Sequence, residues 1–87
     1  MGPAAGSGKK SDQYQKLADD YHQLASDDRG NGNDDVARGN AFANAGDWSD
    51  AGHWYGEAAD DYESSAKNDA DGYYYDGLAA FLRGLGL

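Results

Sequence analysis

Residues 39–59 read GNAFANAGDWSDAGHWYGEAA. Small residues and one aromatic, Phe42, recur at helical spacing up to Ala45. Gly46 then supplies a C-terminal stop. Asp47 follows as an N-cap, because its carboxylate can accept from the first free N–H groups of a new helix. From Trp48 the helical spacing resumes through Ala51, Tyr55 and Ala58. The stretch therefore predicts two helices joined by a tight turn at Gly46-Asp47.

Working outward, the chain divides into further candidate helices. One runs from about Ser11 to Ser26, capped by Ser11 or Asp12, with Tyr14, Leu17, Ala18, Tyr21, Leu24 and Ala25 on one stripe. Residues 27–33, DDRGNGN, carry dense turn chemistry and predict a break. A second helix is expected from Asn33 or Asp34 to Ala45, and a third from Trp48 to Ala66. In the third, Gly52 and Gly56 each cost about 1 kcal/mol relative to Ala, so close packing against a neighbour is the expected reason for them. After a loop at Asn68-Asp69, a fourth helix is expected from Ala70 to Leu85, the most apolar of the set. Met1–Lys10, MGPAAGSGKK, reads as a flexible tail. Residues 11–87 then form one all-α domain.

Sliding the chain against itself exposes a repeat. At an offset of 34, Tyr14 falls on Trp48, Leu17 on Ala51, Tyr21 on Tyr55 and Leu24 on Ala58. At 38, Gly39 falls on Gly77 and Gly46 on Gly84. With Gly39-x2-Phe42, the Gly46-Asp47-Trp48 turn and Ala51-x3-Tyr55-x2-Ala58, the chain resembles the tetratricopeptide repeat (TPR) family. The likeness covers one repeat, about residues 32–62, and two flanking half-repeats. It departs from the family pattern at Asp35 and Arg38 and lacks the closing proline. The resemblance implies a four-helix helix-turn-helix array with a groove. Carried over by position, the groove is Asn33, Val36, Asn40, Ala43 and Asn44, with Asp71, Tyr74, Leu78, Phe81 and Leu82 from the fourth helix. A small antiparallel four-helix bundle is the alternative architecture.

Charge narrows the partners. Sixteen acids, fourteen of them Asp, oppose seven bases, for a net charge of −9. Nucleic acid is an expected non-partner, because phosphate binding needs cations. A basic or aromatic-rich peptide or protein segment suits the surface better. The same Asp excess fits a chain adapted to high salt, which would screen its self-repulsion. The absence of Ile, Thr and Cys also fits a designed sequence. Without cysteine there are no disulfides or thiolate metal sites. No apolar run approaches the roughly 20 residues of a membrane span, and no signal peptide is visible, so a cytoplasmic protein is expected.

Catalytic chemistry finds no support. His22 and His53 belong to no motif. The adjacent acid pairs Asp19-Asp20, Asp27-Asp28, Asp34-Asp35 and Asp60-Asp61 cannot face each other on a helix. Asp69-Ala70-Asp71-Gly72 has the look of a calcium-loop centre, but Lys67 and Leu78 stand where carboxylates are needed. No cofactor or metal is expected. Among the aromatics, Trp54 and Tyr75 lie off the inward stripes and are the better surface candidates. The expected function is a protein-binding adaptor. The alternative is a self-associating structural module that dimerises through the C-terminal helix, where Leu78, Phe81, Leu82, Leu85 and Leu87 leave no polar outer face.

Overall fold

The computed structural model describes residues 8–87. It is all helical: α1 spans Lys10–Asn44 and α2 spans Trp48–Gly84. The two run antiparallel as one hairpin, with principal extents of 60 × 22 × 12 Å. The thinnest extent is the thickness of a single helix layer. The radius of gyration is 18.6 Å, against about 12 Å for a compact domain of this length.

The turn forms as the sequence predicts. Gly46 has φ of 79°. Its N–H donates to the Ala43 carbonyl at 3.0 Å, and the Asp47 N–H donates to that of Phe42 at 2.9 Å. This is the pair of hydrogen bonds that closes a glycine-terminated helix. The Asp47 carboxylate accepts from the Asp50 N–H at 3.1 Å and caps α2. At the other end Ser11 is no cap. Lys9 precedes the first turn, and Ser11 is buried within α1.

Four helices were expected and two are present. The break foreseen at residues 27–33 is helical, and so is the one at Asn68-Asp69. Cross-links to the other helix hold the first of these segments. Asp28 accepts from Ser64 and Asn68 at 2.7 and 2.9 Å. Arg29 donates to Ser65 at 3.1 Å. Gly32 is buried under Tyr62. Such contacts outweigh a local helix penalty of about 1 kcal/mol per glycine. The four-helix array is thereby replaced by a two-helix hairpin. Of the expected tail, residues 1–7 lie outside the described residues, and Lys10 begins α1.

The helices meet along small residues at intervals of seven. On α1 these are Ser11, Ala18, Ala25, Gly32 and Gly39; on α2 they are Ala51, Ala58, Ser65, Gly72 and Ala79. All ten are buried. Side chains from the opposite helix close over three of the glycines. A Cβ on Gly39 would lie 2.6 Å from the Tyr55 ring, one on Gly32 2.6 Å from Tyr62, and one on Gly72 2.7 Å from His22. Gly52 and Gly56, by contrast, have nothing within 4 Å. The packing role expected for them is absent, and the glycines that permit close approach are others.

Candidate functional site

A single helix layer has two broad faces. Residues four beyond each seam position fall on one, the back. Residues three beyond fall on the other, the front.

The back is closed by polar contacts. Arg83 donates to Gln15 Oε1 at 2.9 Å, and Gln15 donates to Asp76 at 2.9 Å. The His22 ring lies between Asp76 and Asp69, with Nε2 and Nδ1 each 2.8 Å from a carboxylate oxygen. Only the imidazolium can donate from both nitrogens. The two hydrogen bonds raise the His22 pKa above its usual value, Asp69 contributing most. His22, then Gln15, lower that of Asp76. Arg29 reaches Asp69 at 3.4 Å and Ser65 at 3.1 Å. Ser65 in turn donates to the Ala25 carbonyl at 2.7 Å. Nearer the turn, the hydroxyls of Tyr62 and Tyr55 donate to Asn33 and Asn40.

The front is different. Near the chain ends it is aromatic and aliphatic. Tyr75 stacks between Tyr14 and Tyr21, with ring centroids 5.8 and 5.7 Å away. The same face carries Leu17, Leu24, Leu78, Leu82 and Leu85, none of them buried. Midway the front turns acidic, with Asp28, Asp35 and Asp61. Asp35 pairs with Arg38 at 2.9 Å. A hydrogen bond with Asp35 raises the pKa of Asp61. Toward the turn, Arg38 lies over the Trp54 ring at 5.0 Å.

The largest fully buried side chain among the described residues is Ser11. Leu24 is 50% exposed, Phe81 64% and Tyr74 63%. The stripes read from the sequence as inward are therefore only partly so. Ala18, Ala25, Ala51 and Ala58 are buried, while the large residues beside them flank the seam. Tyr75, expected off the core stripe, is half-buried at the centre of the stack, and Trp54 is half-buried as well.

The residues expected to form a groove are not brought together. Asn33, Val36, Asn40 and Asn44 lie on the turn half of α1, where Asn33 and Asn40 are engaged by tyrosine hydroxyls. Tyr74, Leu78 and Phe81 lie on the far half of α2. The groove required the second and fourth expected helices side by side. In an antiparallel hairpin the end of α2 lies beside the beginning of α1 instead. Ala43 is near the turn, whereas Asp71 and Leu82 are toward the open end.

Sequence reading missed the seven-residue seam, although its signal is plain spacing: five small residues in each helix, seven apart. It also missed the His22 clamp, whose signal is the i, i+7 pair Asp69 and Asp76. Among the described residues, no three His, Asp or Glu side chains form a group that could hold a metal ion. No described helix is long and apolar enough to cross a membrane. Comparison with family models, curated proteins and solved structures finds no match to this chain.

Proposed function

We propose that the protein is a non-catalytic helical interaction module whose front face, at the open end of the hairpin, packs against helices of a protein partner. One observation carries this reading: no large apolar side chain is fully buried within the hairpin itself. Helices are stable when an apolar stripe is covered by a second layer. Burying five alanines, at about 0.8 kcal/mol per CH₂-sized group, is a small return for ordering two long helices. The back face has its polar groups matched across the seam. The front has exposed Leu17, Leu24 and Leu85 beside the half-buried Tyr14, Tyr21 and Tyr75, the composition of a docking face.

The earlier expectation of an adaptor for a peptide or protein segment is kept in this form. The tetratricopeptide likeness remains a property of residues 32–62, where one helix–turn–helix is present, and the proposal does not depend on it. A structural module that associates with itself belongs to the same reading, with a different occupant.

The test uses a soluble peptide with leucines in an a/d heptad pattern as the probe, at a protein concentration of about 1 µM. Binding is expected, read from tyrosine and tryptophan fluorescence. The double variant Leu17→Asp, Leu82→Asp should abolish it while keeping the helical circular dichroism of the parent. A parent hairpin that ignores the probe and also stays monomeric when concentrated would refute the reading.

A further inference from the structure

We infer that the partner of the front face is a basic amphipathic helix, with its apolar stretch at the open end of the hairpin and its lysines and arginines over Asp28, Asp61 and Asp35. This rests on the interaction-module reading and adds the partner's chemistry and its placement along the face.

Charge is divided unevenly along the hairpin. Residues 27–66, the half next to the turn, hold ten acids and two bases, a net charge of −8. The rest of the chain holds six acids and five bases, a net charge of −1. The hairpin is 60 Å long, and exposed charges in physiological salt act over roughly 8 Å. A partner therefore meets the two halves separately. The open half offers leucine and tyrosine at near-neutral charge, and the turn half offers carboxylates.

On the front the two halves join. Along α1, Tyr21, Leu24, Asp28 and Asp35 follow at intervals of three, four and seven, so Leu24 and Asp28 are neighbours one turn apart. Asp28 and Asp61 are half-buried, and Asp35 is buried. Asp28 accepts from the neutral Ser64 and Asn68. Asp35 has Arg38 at 2.9 Å, and Asp61 shares with Asp35 the hydrogen bond that raises its pKa. Arg38 itself also lies over Trp54. Lys16, Arg29, Lys67 and Arg83 are ion-paired with other acids.

Partly buried carboxylates short of cations, beside an apolar surface, select the occupant. A second copy brings the same net charge of −9 against them. An apolar helix without cations desolvates them unpaired. A helix with Lys or Arg beyond its apolar stretch covers the leucines and pairs Asp28 and Asp61 in one layer. Asp12, which Arg83 reaches at 3.7 Å, marks the open end. From there to Asp35 is about 35 Å along α1, the length of a partner helix of about 25 residues.

The probes are synthetic helices of about 25 residues with leucine heptads in one half. The other half carries lysine, glutamine or glutamate on the same face. A fourth peptide has the composition of the lysine one with its lysines spread evenly. Binding to the parent hairpin is read by fluorescence. At about 50 mM salt the lysine-block peptide should bind about tenfold tighter than the glutamine one, and at about 500 mM the margin should shrink below about threefold. The glutamate peptide should bind weakest. Asp61→Asn should cut the margin about fivefold. Glu63→Gln removes the same charge from the exposed back of α2 and should change the margin less than about twofold.

Equal losses in both variants would reduce the effect to overall charge and overturn the site. Equal affinity for the lysine and glutamine peptides would overturn the basic partner alone and leave the interaction module standing. Equal affinity for blocked and spread lysines would overturn the placement. A hairpin that binds no peptide yet dimerises when concentrated would make a second copy the occupant and overturn this inference. One that binds no peptide and stays monomeric would overturn the interaction-module reading with it.

Discussion

His22 of α1 lies directly on Gly72 of α2, its ring between Asp69, three residues before that glycine, and Asp76, four after it. A Cβ on Gly72 would come 2.7 Å from the ring. Both ring nitrogens are 2.8 Å from carboxylate oxygens. Gly72 makes room for the imidazole, and its cationic form joins the open ends of the two helices.

This clamp predicts a pH dependence. Its pKa is raised in the folded chain, by Asp69 first and then Asp76. Its contribution to stability is thus fully present below the ordinary histidine value of 6.5 and is lost as pH rises through the folded value. Asp76 is lowered, so its contribution is present above the ordinary carboxylate value and fades as pH falls through the lowered one. Thermal unfolding should show a falling midpoint as pH rises above 6.5. His22→Gln should remove that slope, and ring NMR titration of the parent should place the His22 pKa above the ordinary histidine value of 6.5.

Glycine-to-alanine substitutions should divide by position. Gly52 and Gly56 are exposed with no neighbour within 4 Å, so alanine there should stabilise by about 0.5–1 kcal/mol through helix propensity. At Gly39 the same change meets the Tyr55 ring at 2.6 Å. It should lose that gain by displacing Tyr55 from Asn40. Urea midpoints of the three variants check the order.

Adjacent residues should respond in opposite ways. Ala25 is fully buried on the seam, and Leu24 is 50% exposed. Ala25→Leu forces the helices apart and should cost about 1–3 kcal/mol. Leu24→Ala should cost far less, because half of that residue is already open to solvent. Chemical denaturation at about 1 µM distinguishes them. Equal losses would place Leu24 in the hairpin core.

The acidic midsection should relax when one charge is removed. Asp61 is raised by its hydrogen bond with Asp35, so at neutral pH the pair opposes folding, and that opposition disappears as pH falls through the raised value. Asp61→Asn should raise the melting temperature at pH 7 and leave it nearly unchanged at pH 3.

By itself the sequence determined the helical class, the turn at Gly46-Asp47 and the Asp47 cap. These are local properties: a positive φ that glycine accepts, and a short carboxylate beside free N–H groups. It also determined the shortage of bulky aliphatic residues and the apolar end of α2. Tertiary structure alone decided that residues 27–33 remain helical. The deciding bonds, from Ser64 and Asn68 to Asp28 and from Arg29 to Ser65, join residues more than 30 positions apart. It decided which stripe turns inward as well. Tyr14, Leu17, Tyr21 and Leu24 sit at the same helical spacing a core would use, but two helices this close admit only Ala, Gly and Ser between them. The larger residues were displaced to the front face, and with them the reading of what this protein does.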